Sequence, residues 1–217
     1  MEFLNDFLEG KKLLNILHET YELYCKYGSR SSKKVDHFHN FIKNEIEKQI
    51  EKQNKKDNEY SVKLEQDVKC CNSTNKKKCD IVVFKNNIPY IIFPVKLIMT
   101  NYKQNKNNSW ENLTGELSHL KWANPDILIV PINIFMNKTP YLKKDTTISK
   151  FENITYDDIS QYNILNEKQL IYANINYIID VDHNNKIGDK YKNAPTILNF
   201  NIHTCYKSFT KMINELI

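Results

Sequence analysis

The ten residues from Asp126 to Phe135, "DILIVPINIF", constrain the fold more than any other stretch of the chain. A strand this continuously apolar has no solvent face, so it belongs near the centre of a sheet covered on both sides. A second run, "IIFPVKLIM" at 91–99, is nearly as apolar and extends a strand that starts near Ile88. Helices able to cover such strands are present. Residues 11–27 place Leu13, Leu14, Leu17, Tyr21 and Tyr24 at helical spacing ahead of Gly28. Residues 34–53 carry Phe38, Phe41, Ile42, Ile46 and Ile50 on one stripe. Trp110 to Lys121 carries Trp110, Leu113, Leu117 and Leu120 on another. Recurrence every three to four residues is the mark of a helix with one buried face.

Between the second and third helices the period changes to two. Tyr60, Val62, Leu64 and Val68 alternate with Ser61, Lys63, Glu65 and Asp67, which predicts a half-buried strand. "NSTNKKK" reads as a turn, Asp80 to Phe84 as a short strand and "KNN" as a hairpin turn. The polar run "TNYKQNKNNS" at 100–109 reads as a loop. Further on, 155–164 reads as a short helix, 168–181 and 194–202 as strands, and "CYKSFTKMINELI" as a terminal helix. No repeat or low-complexity linker divides the chain. The expectation is one α/β domain over 1–217, a central mixed β-sheet flanked by helices.

Hydrophobic residues make up 41% of the chain and aromatics 12%, enough for a packed core and too many for a disordered segment. The formal charge of +5 is compatible with a nucleic-acid partner without demonstrating one, and Arg30 is the sole arginine. Met1 to Asp6 lacks a basic segment followed by an apolar one, and no apolar run approaches the roughly 20 residues that span a bilayer. A cytoplasmic protein without membrane attachment is expected. The five cysteines (Cys25, Cys70, Cys71, Cys79, Cys205) are an odd set without a Cys-x-x-Cys pair, consistent with reduced thiols. Adjacent Cys70 and Cys71 give poor zinc spacing with Cys79, and the His37/His39 pair has no third ligand at suitable spacing.

The chemistry concentrates on two strands. Along the run from Ile88, side chains alternate, so Tyr90, Ile92, Pro94 and Lys96 share one face. Asp80 opens the preceding apolar run, and a hairpin can bring its end close to that of its neighbour. An aspartate and a lysine on adjacent strands suit the handling of a phosphodiester.

The order helix, strand, strand with "CD" at 79–80, strand with "PVK" at 94–96, helix, strand covers residues 34–135. It resembles the PD-(D/E)XK nuclease superfamily, to which many type II restriction endonucleases belong. The resemblance implies a restriction-endonuclease-like fold, with Asp80 as the metal-binding aspartate and Lys96 as the catalytic lysine. It also makes the main-chain carbonyl of Val95 a metal ligand. Pro94 stands where the family usually has Glu or Asp, and its side chain holds no ligand atom. Members without that carboxylate recruit a glutamate from the following helix, where this chain has Glu111 and Glu116. At about 100° per residue, Glu116 lies beside the Leu113/Leu117/Leu120 stripe and Glu111 is turned away. Glu116 is therefore preferred, and Glu111 stays open because the catalytic edge need not coincide with the core face. Glu45 resembles the accessory glutamate of the family's first helix, which helps bind a second metal.

The implied activity is a Mg²⁺-dependent endonuclease, with Mn²⁺ as a substitute, cutting a specific sequence in double-stranded DNA. Cutting both strands symmetrically calls for two sites and hence a twofold homodimer. Lys103 and Lys106 suit phosphate contacts, while Gln104, Asn105, Asn107 and Asn108 suit adenine edges. Residues 136–217 are where recognition or dimerisation elements would lie. Three rivals stand beside this reading. One is an inactive nucleic-acid-binding member of the same fold, and another is a nuclease of repair, recombination or RNA. The third is an interaction protein without nuclease chemistry, should Asp80 and Lys96 prove far apart.

Overall fold

A computed structural model describes residues 10–29, 31–53, 59–204 and 209–217. Arg30, Cys205, the polar break at 54–58 and the N-terminal hexapeptide lie outside these described residues. Helix α1 (Gly10–Tyr27) buries Leu13, Leu17, Tyr21 and Tyr24 of the stripe its spacing predicts, with Leu14 half-buried at its edge. Gly28 ends it with φ +81°, a left-handed conformation that costs glycine little, and returns its N–H to the Tyr24 carbonyl at 2.7 Å. Helix α2 (Lys33–Lys52) buries Phe38, Ile42, Ile46 and Ile50.

Strands β1 (Tyr60–Lys69) and β2 (Lys76–Lys85) form an antiparallel hairpin running in one register from Tyr60↔Lys85 to Lys69↔Lys76. Asn86 and Asn87 then close a two-residue turn with φ +50° and +64°. Asparagine tolerates that backbone, and two positive φ values match the right-handed twist of the strands they join. Strand β3 (Ile88–Phe93) pairs antiparallel with β2.

The strand expected from Ile88 to Met99 is interrupted. It stops at Phe93, and β4 (Val95–Leu97) resumes on the other side of Pro94. Helix α3 (Tyr102–Ala123) follows, and then the apolar run, itself broken at Pro131 into β5 (Leu128–Ile129) and β6 (Ile132–Met136). The breaks coincide because β3 pairs parallel with β5, and β4 with β6. A proline has no N–H for a ladder, so each run yields at its proline. Main-chain bonds cross the break, from Val130 N–H to the Ile92 carbonyl and from Ile132 N–H to the Pro94 carbonyl, both at 2.8 Å.

The next pieces are the antiparallel hairpin of β7 (Lys138–Leu142) and β8 (Ile148–Asn153), and the short helices α4 (Tyr156–Ile159) and α5 (Tyr162–Glu167). Strand β9 (Ile175–Asp182) runs parallel to β6, β10 (Thr196–Thr204) antiparallel to β9, and α6 (Phe209–Leu216) follows. The two four-stranded sheets have the orders β1-β2-β3-β5 and β10-β9-β6-β4. Helices flank both faces. Ile81, Val83, Ile91, Phe93 and Ile134 pack with α1, α2 and α6, while Val82, Ile92, Ile129 and Phe135 pack with α3 and α5. Truncating a fully buried member such as Leu117 to alanine costs about 2–5 kcal/mol.

The sequence-based outline needs three corrections beyond the broken strands. Residues 102–109 are not loop but the first two turns of α3. Tertiary partners hold this polar start: Tyr102 is buried, and the Glu152 carboxylate accepts the Lys103 N–H at 3.0 Å. Asn101 is tied to Leu142 through both side-chain atoms. The expected strand at 168–181 begins only at Ile175, after a turn with Gln169 at φ +58°. Residues 155–164 form the start of two short helices instead of one.

Candidate active site

Asp80 sits in the middle of β2. Continuing the β2/β3 register one step past Ile81↔Phe93 sets it opposite Pro94. Because β3 ends there, no ladder bond closes the gap between β2 and the start of β4. The Val95 N–H turns to the Asp80 carboxylate instead and donates to Oδ2 at 2.8 Å. Pro94 thus opens the sheet where a carboxylate can enter it. A strand residue sends its N–H and C=O to the same side. The Val95 carbonyl therefore also points away from β6, to the side where Asp80 lies.

Burial raises the Asp80 carboxyl above its usual range, against the pull of the Val95 N–H, His39 and Lys77. Lys96, the next residue along β4, is half-buried, and burial pushes its ammonium pKa down while the Glu116 carboxylate opposes that shift. Asp80 and Glu116 line a common cleft of about 80 Å³, walled by Pro94, Ile92, Leu113 and Leu117. At its rim Glu116 Oε1 accepts a hydrogen bond from Lys77 Nζ at 2.6 Å.

Other residues named from sequence are placed differently. Glu111 is exposed on α3 and does not line this cleft. Glu45 pairs with Lys48 on its own helix at 2.6 Å. Lys103, Gln104, Asn105, Asn107 and Asn108 are exposed on the first turns of α3, with Lys106 half-buried among them. Lys103 Nζ lies 3.5 Å from the Asp158 carboxylate.

Two residues near Asp80 are not assigned to the site from sequence. Glu65 goes unnamed as a ligand, and His39 is weighed only with His37, which instead lies 2.8 Å from Glu19, and is set aside for want of a third ligand. Glu65 of β1 stands across from Asp80, between the pairs Leu64↔Ile81 and Gln66↔Cys79. Its φ of +52° is a left-handed backbone in mid-strand, a strained conformation for glutamate. His39 of α2 is 1% exposed and depressed in pKa by burial, against the fields of Asp80 and Glu65. Its signal was in the sequence: position 39 lies three and seven residues before Ile42 and Ile46, on the inward stripe. Glu65 gave no such signal, since alternation marks it only as an outward polar residue.

The described cysteines, Cys25, Cys70, Cys71 and Cys79, are unpaired. Among the described residues no helix is long and apolar enough to cross a membrane. Comparison with protein-family models, with curated proteins and with solved structures finds no match.

Proposed function

We propose that this chain is a metal-dependent endonuclease of the PD-(D/E)XK kind, with a restriction-endonuclease-like fold, hydrolysing phosphodiester bonds in duplex DNA as a homodimer. The observation that carries this reading is the break at Pro94. There a half-buried aspartate on β2 receives the N–H of the residue that precedes Lys96. Asp80 therefore lies against the main chain one residue before Lys96, and the Lys96 ammonium feels the Glu116 carboxylate that lines the cleft with Asp80.

The donors present suit a divalent cation. Asp80 keeps an oxygen beyond the one held by Val95, the Val95 carbonyl faces the same side, and Glu116 lines the cleft. When bound, Mg²⁺ or Mn²⁺ would polarise the scissile phosphate and lower the pKa of a coordinated water. Lys96 supplies the protein's own positive charge, donating to a phosphate oxygen and stabilising the charge that develops there. Lys96 is half-buried, and the nearby Glu116 carboxylate favours its charged form. Lys103 and Lys106 on the exposed start of α3 offer phosphate contacts that position the duplex without reading sequence.

A second reading has a specific observation in its favour. Pro94 contributes no ligand, and Glu116 is already engaged by Lys77, as expected of a site that binds nucleic acid without cutting it.

Plasmid cleavage separates the two. With Mg²⁺ or Mn²⁺, the native chain is expected to give discrete fragments. Lys96→Ala should lower the rate by about 10²–10³. Glu116→Ala should have a comparable effect and Glu111→Ala almost none. Tight metal-independent binding with no cleavage of varied DNAs would favour the inactive binder. Cleavage indifferent to Lys96→Ala would remove the proposed site.

A further inference from the structure

His39 of α2, Glu65 of β1 and Asp80 of β2 each offer one ligand atom, and all three atoms lie within 4.8 Å of one another. They arrive from separate elements for reasons of packing. The buried stripe of α2 turns His39 toward the sheet, and the β1/β2 register sets Glu65 across from Asp80. Yet the groups do not satisfy each other. His39 Nδ1 is 3.7 Å from Glu65 Oε1, beyond hydrogen-bond range, and the buried Nε2 has no hydrogen-bond partner. A polar atom buried and unsatisfied costs about 1–3 kcal/mol. Glu65 adds backbone strain to hold its place.

The spacing is that of ligands around an ion. Around an octahedral ion with a shell of about 2.1 Å, adjacent donors stand about 3.0 Å apart and opposite ones about 4.2 Å, so the three side chains close in on an ion placed between them. We propose that His39, Glu65 and Asp80 form a divalent-cation site with one nitrogen and two carboxylate donors, and that it holds Mn²⁺ in preference to Mg²⁺. Mg²⁺ is a hard ion that takes oxygen ligands and keeps its waters. Imidazole is a donor for transition ions, and Mn²⁺ is the member of that series best suited to carboxylates. The site would supply a carboxylate, from Glu65, that Pro94 does not. It names the ion for the nuclease read above but does not rest on cleavage, because binding is measured without DNA.

The test is Mn²⁺ titration of the full chain, followed by electron paramagnetic resonance. One Mn²⁺ per chain is expected, with a pulsed-resonance nitrogen coupling characteristic of imidazole and with Mg²⁺ competing only in large excess. His39→Gln should abolish that coupling and weaken binding about tenfold or more. Glu65→Gln, at a more exposed position that should not endanger folding, should weaken binding similarly. Glu51→Gln, on the exposed side of α2, should leave it unchanged. Mn²⁺ bound without nitrogen coupling, no Mn²⁺ bound, or native affinity in Glu65→Gln would overturn the site. A Mn²⁺-loaded chain with the nitrogen signature that leaves DNA intact would overturn the nuclease reading alone.

Discussion

Asp80 shows how a residue unfavourable for stability can suit the proposed metal site. Its carboxylate is half-buried beside a proline break, accepts a hydrogen bond from the Val95 N–H, and has its pKa raised by desolvation. A charge so placed opposes folding until something positive joins it. Asp80→Asn keeps an acceptor for the Val95 N–H and removes the charge. In the presence of a chelator, that variant is expected to melt higher than the native chain by about 2–4 °C, corresponding to roughly 1 kcal/mol for a chain of this size. Metal-dependent cleavage should vanish in the same variant. A lower melting point would mean that the carboxylate serves the fold and that its burial is compensated in full. Pro94 is the other half of this arrangement. By withholding a donor it ends β3 and frees the Val95 N–H, and on the proposed nuclease reading it offers no side-chain ligand of its own.

At the scale of elements, legibility followed the source of stability. Helices α1 and α2 were readable because their own apolar stripes decide their packing, and the β2–β3 hairpin because Asn86 and Asn87 suit its turn. The start of α3 was unreadable for the opposite reason. Residues 102–109 are polar, and their helix is held by Glu152 and the Asn101–Leu142 bonds, which come from a hairpin some 40 residues away in sequence. The hairpin itself carries Pro140 in β7 and no clean alternation, so it was missed. The same logic applies to the site. Asp80 and Lys96 were visible from their strands, while the meeting of His39 with Glu65 depends on tertiary placement. Glu152→Ala removes the acceptor at the α3 start and should cost about 1 kcal/mol. Amide hydrogen exchange checks this: protection should fall at residues 103–106 and stay unchanged over 113–120. Loss of protection along the whole helix would contradict a local cap.

Across the whole molecule, one buried and two half-buried histidines shape how the protein responds to acid. His39, His183 and His203 are each held below the ordinary value of 6.5, chiefly by burial. Their folded-state pKa lies below the unfolded one, so the unfolded chain takes up protons first. Stability from these groups is complete above the ordinary histidine pKa and is lost as pH falls through it. Asp80 acts in the opposite sense, since its raised pKa favours the folded chain as pH falls toward the carboxylate range. Between pH about 6.5 and 5 the ordinary histidine range is crossed before the ordinary carboxylate range is reached. Thermal melts in chelator should therefore show a lower melting point at pH 5 than at 7.5, and a flat profile would mean that these histidines titrate alike in the folded and unfolded chains.

The architecture places these parts in one frame. Paired breaks at Pro94 and Pro131 divide the strands into two mixed sheets, helices cover both faces, and Asp80 meets Val95 at the break, with Lys96 next along β4. The most direct measurement is cleavage of supercoiled plasmid by the native chain and by Asp80→Asn, each in chelator, in Mg²⁺ and in Mn²⁺. Nicking or linearisation by the native chain only when a cation is present, and by Asp80→Asn under none of the conditions, is the expected result. Cleavage in chelator, or at the native rate by Asp80→Asn, would contradict a metal-dependent site at the Pro94 break.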